Sequence, residues 1–184
     1  MHRISRDAPC FYLSSVAKDR LPVFRKDEIK TLVCEALNEA RDSGGFALHA
    51  YVVMPDHLHV ITDSARSSSD TLRFINGIVA RRVIDYLKER HYESSLQKLR
   101  QQDKRQNYRY ALWDHHPNVR LLMTENMLME RVNYTHQNPV RAGLVKRGED
   151  YRWSSIRCWN GKPLEDEPLS NGFEENQMEK PVRF

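Results

Sequence analysis

The chain has 184 residues, 40% hydrophobic and 29% charged, with 29 Lys and Arg against 25 Asp and Glu for a formal charge of +4. That length suits one domain with its own core rather than two, no apolar run approaches a membrane span, and the N-terminus lacks the hydrophobic stretch of a signal peptide. Cys10, Cys34 and Cys158 are odd in number, widely spaced and in no paired motif, which speaks against a disulfide framework or a zinc ribbon and favours a reducing, cytoplasmic setting.

The charge is uneven. Residues 161–184 carry six acidic residues against Lys162, Lys180 and Arg183, so the body without this tail stands at +7. A basic body is the footprint of a nucleic-acid or anionic-surface binder, although many soluble domains are equally basic. The division expected is a domain over 1–160, with a basic insertion at 90–110, followed by an acidic tail over 161–184.

Residues 10–16 read as a first strand, closed by a polar turn at 17–20. Over 26–41, apolar residues at Ile29, Leu32, Val33, Ala36, Leu37 and Ala40 keep the helical period, and Ser43-Gly44-Gly45 stops it. Next comes a predicted hairpin, with strands at 46–53 and 57–62 around Met54-Pro55-Asp56. In a strand, residues i and i+2 share a face, so His57 and His59 point the same way while Leu58 and Val60 enter the core. Two readings of the pair stand side by side: two histidines satisfied within a half-buried strand, or two neutral imidazoles ligating one cation that needs a further ligand.

The Ser67-Ser68-Ser69-Asp70 cluster offers N-caps for a long amphipathic helix with Leu72, Ile75, Val79, Val83 and Leu87 inward. Its outward Arg73, Arg81, Arg82 and Lys88 form a solvated face or follow a phosphate backbone. Residues 94–110 are polar and basic, with Lys98, Arg100, Lys104, Arg105 and Arg109, and read as a mobile insertion or a charged helical extension. Tyr108 and Tyr110 among these arginines are of a type that stacks on bases. Trp113 and 119–122 indicate a last strand or edge segment, with His115 and His116 in its loop.

Thr124 caps a helix running through Met127, Leu128, Met129, Val132 and Tyr134 to Gln137, where Asn138-Pro139 is expected to end it. If the last turn is near-helical, Tyr134 and Asn138, four apart, lie on one side. An amide oxygen there is suited to complete a hard-cation site with the two imidazoles. His136 points away from that side, Asp56 reads as a turn residue, and Gly143 as a backbone stop. Arg141, Lys146 and Arg147 touch phosphates or simply meet solvent.

Met54-Pro55-Asp56-His57-Leu58-His59, taken with the run from Tyr134-Thr135-His136-Gln137-Asn138-Pro139 to Leu144-Val145, resembles the REP-associated tyrosine transposases, members of the single-tyrosine HUH transposases. The resemblance extends from the first strand to Tyr151-Arg152-Trp153-Ser154-Ser155. It departs at Trp113-Asp114-His115-His116-Pro117-Asn118 and at the charged insertion. It implies an α/β (α+β), ferredoxin-like fold: an antiparallel sheet with flanking helices presents the histidines, and a C-terminal helix lays the tyrosine against them. It also implies His57, His59 and Asn138 as metal ligands, Tyr134 as nucleophile, Mg²⁺ or Mn²⁺ as cofactor, and single-stranded DNA, often near a hairpin, as substrate.

The implied reaction makes sense of these residue types. A divalent cation on a non-bridging oxygen neutralises the phosphodiester and fixes phosphorus for in-line displacement. A free phenol has a pKa of about 10, so Tyr134 must lose its proton as it attacks. The product is a 5′-phosphotyrosine and a free 3′-hydroxyl, which conserves the bond for rejoining. The further expectations are weak DNA contacts from Arg73, Arg81, Arg82, Arg105, Arg109 and Arg141, a monomer or homodimer with no membrane partner, and a nucleoid-associated place in the cytoplasm. Two other classes are compatible with the residues: a non-catalytic single-stranded nucleic-acid binding module of the same fold, and a metal-dependent phosphoesterase using a bound water, for which the motif offers few carboxylates.

Overall fold

The computed structural model describes residues 9–101 and 109–169. Strand β1 (Cys10–Val16) is followed by helix α1 (Asp27–Gly44), the hairpin of β2 (Leu48–Val53) and β3 (His57–Asp63), and helix α2 (Ser68–Glu89). Then come α3 (Glu93–Leu99), β4 (Asn118–Leu122), α4 (Glu125–Arg141) and the short α5 (Ile156–Trp159). The strands form one antiparallel sheet in the order β2-β3-β1-β4. Two interlocked β-α-β units of this order make the ferredoxin-like arrangement expected from the sequence.

Alternation along the strands divides the molecule into layers. Leu13, Leu58 and Val60 face the large core formed with Ile29, Val33, Leu37, Ile75, Val79 and Val83, so α1 and α2 cover one side of the sheet. Cys10, Tyr12, Ala50 and Ile61 face the other side and pack with Leu122, Leu128 and Val132, which docks α4 there. His57 and His59 belong to the α4 side because they alternate with Leu58 and Val60.

Local signals set most element ends. Gly45 takes φ 67° where α1 stops, a left-handed conformation that favours glycine. The Ser67 side chain accepts from the Asp70 N–H at the start of α2, and the Thr124 side chain accepts from the Met127 N–H at the start of α4.

Three expectations need correction or completion. Helix α4 does not end before Asn138-Pro139 but continues through Pro139 to Arg141. The proline lacks an N–H, yet the Asn138 Nδ2 donates to the Tyr134 carbonyl one turn back, and Gly143 at φ 69° ends the helix. There the Gly143 and Leu144 N–H groups donate to Val140 and Pro139, a Schellman closure. The start of the 94–110 segment is ordered, since α3 buries Leu96 and Leu99, while 102–108, with Arg105 and Tyr108, lies outside the described residues.

The first part of the acidic tail packs on the body. Leu169 joins the large core, and the buried Glu167 carboxylate pairs with Arg157. Residues 170–184 lie outside the described residues.

The segment leading to this tail straps the β2 edge of the sheet. The Val53 N–H donates to the Trp153 carbonyl and the Tyr51 N–H to the Ser155 Oγ, at 2.9 Å each, so two outward donors of an edge strand find partners. Trp153 Nε1 donates to Thr31 on α1, and Trp159 Nε1 to the His49 carbonyl. The same Ser155 Oγ lies 2.9 Å from His136 Nε2, which couples the edge strand to α4.

Candidate active site

The site lies where α4 crosses the strand face that carries the two histidines. Register opposes His59 to Ser14 of β1 and to Val52 of β2, at the centre of the sheet. The His57 and His59 rings are 4.8 Å apart between centroids, and Tyr134 stands edge-on to His59 at 5.8 Å. Because α4 continues through Pro139, Asn138 sits one turn beyond Tyr134 on the same side, with its carboxamide beside the His59 ring. Tyr134 and Asn138 of α4 and His57 and His59 of β3 are thus brought together by two elements that only the fold makes neighbours.

The two imidazoles sit in different surroundings. His59 is 5% exposed; burial, and then the proximity of His57, push its pKa down to about 3, so it is neutral at ordinary pH. Its Nδ1 lies 2.8 Å from the Tyr12 hydroxyl. The His57 Nδ1 lies 2.6 Å from Asp56 Oδ1, and Arg20 reaches the other carboxylate oxygen at 3.2 Å. Partial burial would raise the Asp56 pKa, but hydrogen bonds and charge from His57 and Arg20 outweigh it and hold the carboxyl below its usual range.

Tyr12 is also in contact with the tyrosine of α4. Its ring stacks on His59 at 5.5 Å and meets Tyr134 edge-on at 6.3 Å. Burial first, and then the neighbouring Tyr134, push the Tyr12 phenol up to about 12. The Arg131 guanidinium lies 5.6 Å from both the Tyr12 and the Tyr134 ring centroids, and Arg141 lies 5.4 Å from that of Tyr134. The tyrosine is therefore framed by two cations from its own helix.

The other sequence-predicted arginines are dispersed. Arg73 pairs with Asp70, while Arg81 and Arg82 both bind Glu39, all on the helical layer across the sheet from the histidines. Arg109 is exposed and stacks on Tyr110 at 5.6 Å. His115 and His116 are exposed in the loop before β4, and His136 is buried on Ser155. Burial pushes the His136 pKa down to about 3.

Sequence reasoning passes over Tyr12 and Arg131; Asp56, read as a turn residue, does lie in the β2–β3 turn, where its side chain also meets His57. Tyr12 carried no local signal, since only the β1–β3 pairing brings it to His59. Arg131, three residues before Tyr134, was accessible through helical spacing alone.

A divalent ion fits the chemistry of this donor set. Both histidines use Nδ1 for protein partners, which leaves Nε2 of each for an ion, and Asn138 would offer a carboxamide oxygen. Among the described residues no three His, Cys, Asp or Glu side chains gather into a site, and the carboxamide of Asn138 stands beside the two imidazoles.

Residues 12–116 match the family model described as Transposase IS200 like, more than half of the chain. The chain belongs to the IS200-like transposases. The matched stretch holds Tyr12, Asp56, His57 and His59 and ends before α4, so Tyr134 and Asn138 join this transposase's site through the fold.

Among solved structures, this transposase is similar to one described as a REP-associated tyrosine transposase bound to a REP hairpin. The two share 15% identity over 100% of this chain and 98% of the other, with a TM-score of 0.61, which establishes a common fold. A crystal structure of a putative transposase from Deinococcus radiodurans also aligns, at 22% identity over 73% of this chain and 93% of the other, with a TM-score of 0.48. No curated protein matches the sequence. No described helix is long and apolar enough to cross a membrane.

Proposed function

We propose that this transposase cleaves and rejoins single-stranded DNA through a covalent 5′-phosphotyrosine formed on Tyr134, with Mg²⁺ or Mn²⁺ held by His57, His59 and Asn138. The observation that carries this reading is the convergence of a tyrosine, a carboxamide and two imidazoles of one strand face, drawn together by a helix that stays regular through Pro139. The bound ion would neutralise a non-bridging phosphate oxygen and fix phosphorus for in-line displacement.

In the cleavage step the Tyr134 oxygen forms a bond to phosphorus and the bond to the 3′ oxygen breaks. The departing oxygen keeps the electron pair and becomes a 3′-hydroxyl on taking up a proton, while the phenol proton passes to solvent. Rejoining reverses this: the 3′-hydroxyl of a second strand attacks the phosphotyrosine and releases the phenol. Arg131 and Arg141 beside the Tyr134 ring supply positive charge where the anionic strand must approach. The neutral His59 side chain is ready to donate a lone pair without first losing a proton.

The substrate is read as DNA carrying a short hairpin, supported by the REP hairpin bound to the transposase of the same fold. The basic body is in keeping with such a partner. The enzyme acts as a monomer or homodimer in the cytoplasm, at the nucleoid. The further weak DNA contacts are Arg73, Arg81, Arg82, Arg105 and Arg109.

The test is incubation of the protein with labelled single-stranded hairpin oligonucleotides and Mg²⁺ or Mn²⁺, read on denaturing gels. The expected result is a protein-linked band that chelator removes and that neither Tyr134→Phe nor His57→Ala forms. Undiminished cleavage by Tyr134→Phe would overturn the assignment.

A further inference from the structure

The Nδ1 atoms of His57 and His59 are both engaged by protein partners, Asp56 of the β2–β3 turn and Tyr12 of β1. We propose that Asp56 and Tyr12 are positioning residues of the metal centre, holding these two Nδ1 atoms so that both Nε2 atoms are presented to one ion. The inference rests on the metal reading of the preceding subsection and goes beyond it, since neither residue is a ligand or a nucleophile.

The Asp56 carboxylate oxygen lies 2.6 Å from the His57 Nδ1 and accepts from it, which leaves the His57 Nε2 with a free lone pair. Arg20 holds the second carboxylate oxygen. It does so from a turn in which both Asp19 and Arg20 have positive φ, of 54° and 52°, a conformation rare for residues other than glycine. That turn is tied to the hairpin by the Ala17 N–H donating to the Asp56 carbonyl and the Phe24 N–H donating to the Pro55 carbonyl. Asp56 is therefore fixed from both its side chain and its backbone.

Tyr12 works differently. A hydroxyl both donates and accepts, so it serves His59 whichever ring nitrogen carries the proton. The Asn138 carboxamide borders the same ring that Tyr12 holds. With an ion on Nε2 the ring proton would belong on Nδ1, which would donate a hydrogen bond to the Tyr12 oxygen. Tyr12 is 3% exposed and packs on both His59 and Tyr134, so one side chain sets a ligand ring and borders the nucleophile. Partners of this kind fix the ring orientation and tautomer of metal-bound histidines.

The experiment titrates Mn²⁺ alone into the full chain, followed by calorimetry and by the electron paramagnetic signal of free Mn²⁺, for wild type, His57→Ala, Tyr12→Phe, Asp56→Ala and Asp56→Asn. Tyr12→Phe keeps the ring and removes only the hydroxyl. Asp56→Asn keeps an accepting oxygen. The expected result is Mn²⁺ binding that His57→Ala abolishes, that Tyr12→Phe and Asp56→Ala weaken about 10–100-fold, and that Asp56→Asn restores.

Equal affinity in wild type, Tyr12→Phe and Asp56→Ala, with binding still lost in His57→Ala, would overturn the positioning roles and leave the metal reading standing. Absence of any His57-dependent Mn²⁺ binding would overturn the metal reading itself. A second measurement needs no metal: long-range proton–nitrogen spectra of the imidazoles should show His57 protonated on Nδ1 in wild type and Asp56→Asn, and as mixed tautomers in Asp56→Ala. An unchanged His57 tautomer in Asp56→Ala would overturn the role of Asp56.

Discussion

Replacing Ser155 by alanine should destabilise the domain far more than the loss of one small hydroxyl suggests. Ser155 is fully buried, and its Oγ accepts from the Tyr51 N–H at 2.9 Å while lying 2.9 Å from His136 Nε2. The Tyr51 carbonyl is more distant, at 3.4 Å, so the hydroxyl proton is best placed on His136. In Ser155→Ala a backbone donor of the edge strand and a ring nitrogen of α4 both lose their partner inside the protein.

Each unsatisfied buried group costs about 1–3 kcal/mol, so the pair together should cost about 3 kcal/mol after relaxation. Urea unfolding followed by circular dichroism would show this as a lower midpoint with an unchanged slope. His136 is two residues beyond Tyr134 on the same helix, so the variant should also form the DNA adduct more slowly. A loss below about 0.5 kcal/mol, the range of neutral surface changes, would refute the view that this hydroxyl ties the strap and the tyrosine helix to the sheet.

Stability should also depend on pH through His136. Its folded-state pKa near 3 lies below its unfolded value of about 6.5, so the unfolded chain binds the proton first. The full contribution is present above about pH 6.5 and is lost as pH falls from there toward about 3; His136→Gln should reduce the acid slope of the unfolding free energy by about 1.4 kcal/mol per pH unit. Denaturation series at several pH values check this, and identical slopes would contradict it.

Leu128→Ala, at a 1% exposed position against Tyr12 and Ile61, should cost about 2–5 kcal/mol by opening a cavity under α4, measured by urea unfolding. Asn138→Ala should weaken Mn²⁺ binding by at least tenfold, whereas Asn133→Ala, at an exposed position of the same helix, should leave it unchanged. Equal affinities in these two variants would remove Asn138 from the ligand set.

The parts of the molecule readable from sequence are those set by short-range physics. Alternation placed His57 and His59 on one face, helical period and capping located α2 behind Ser67 and α4 behind Thr124, and glycine marked the ends at Gly45 and Gly143. The spacing of Tyr134 and Asn138 correctly put them together, even though the helix was expected to end before Pro139. Pro139 deprives the Thr135 carbonyl, four residues back, of its helical donor, yet α4 continues to Arg141.

Contacts that depend on how elements dock were beyond such rules. Tyr12 reaches His59 across 47 residues through strand register, and Ser155 reaches His136 because the strap passes the end of β2. Glu167, one of several acidic residues of the tail, is the buried partner of Arg157. Burial of that kind depends on which side chain meets Arg157, whose remaining donors already hold the carbonyls of Glu149, Tyr151 and Arg152.

The most direct test of the central claim is to locate the covalent bond itself. The protein is incubated with a hairpin oligonucleotide and Mg²⁺, the adduct is digested with nuclease and trypsin, and the peptide Val-Asn-Tyr-Thr-His-Gln-Asn-Pro-Val-Arg, residues 132–141, is sequenced by mass spectrometry. The account predicts a nucleotide joined through its 5′-phosphate to Tyr134. A linkage on any other residue, or a cleaved strand ending in a free 5′-phosphate with no protein attached, would contradict it.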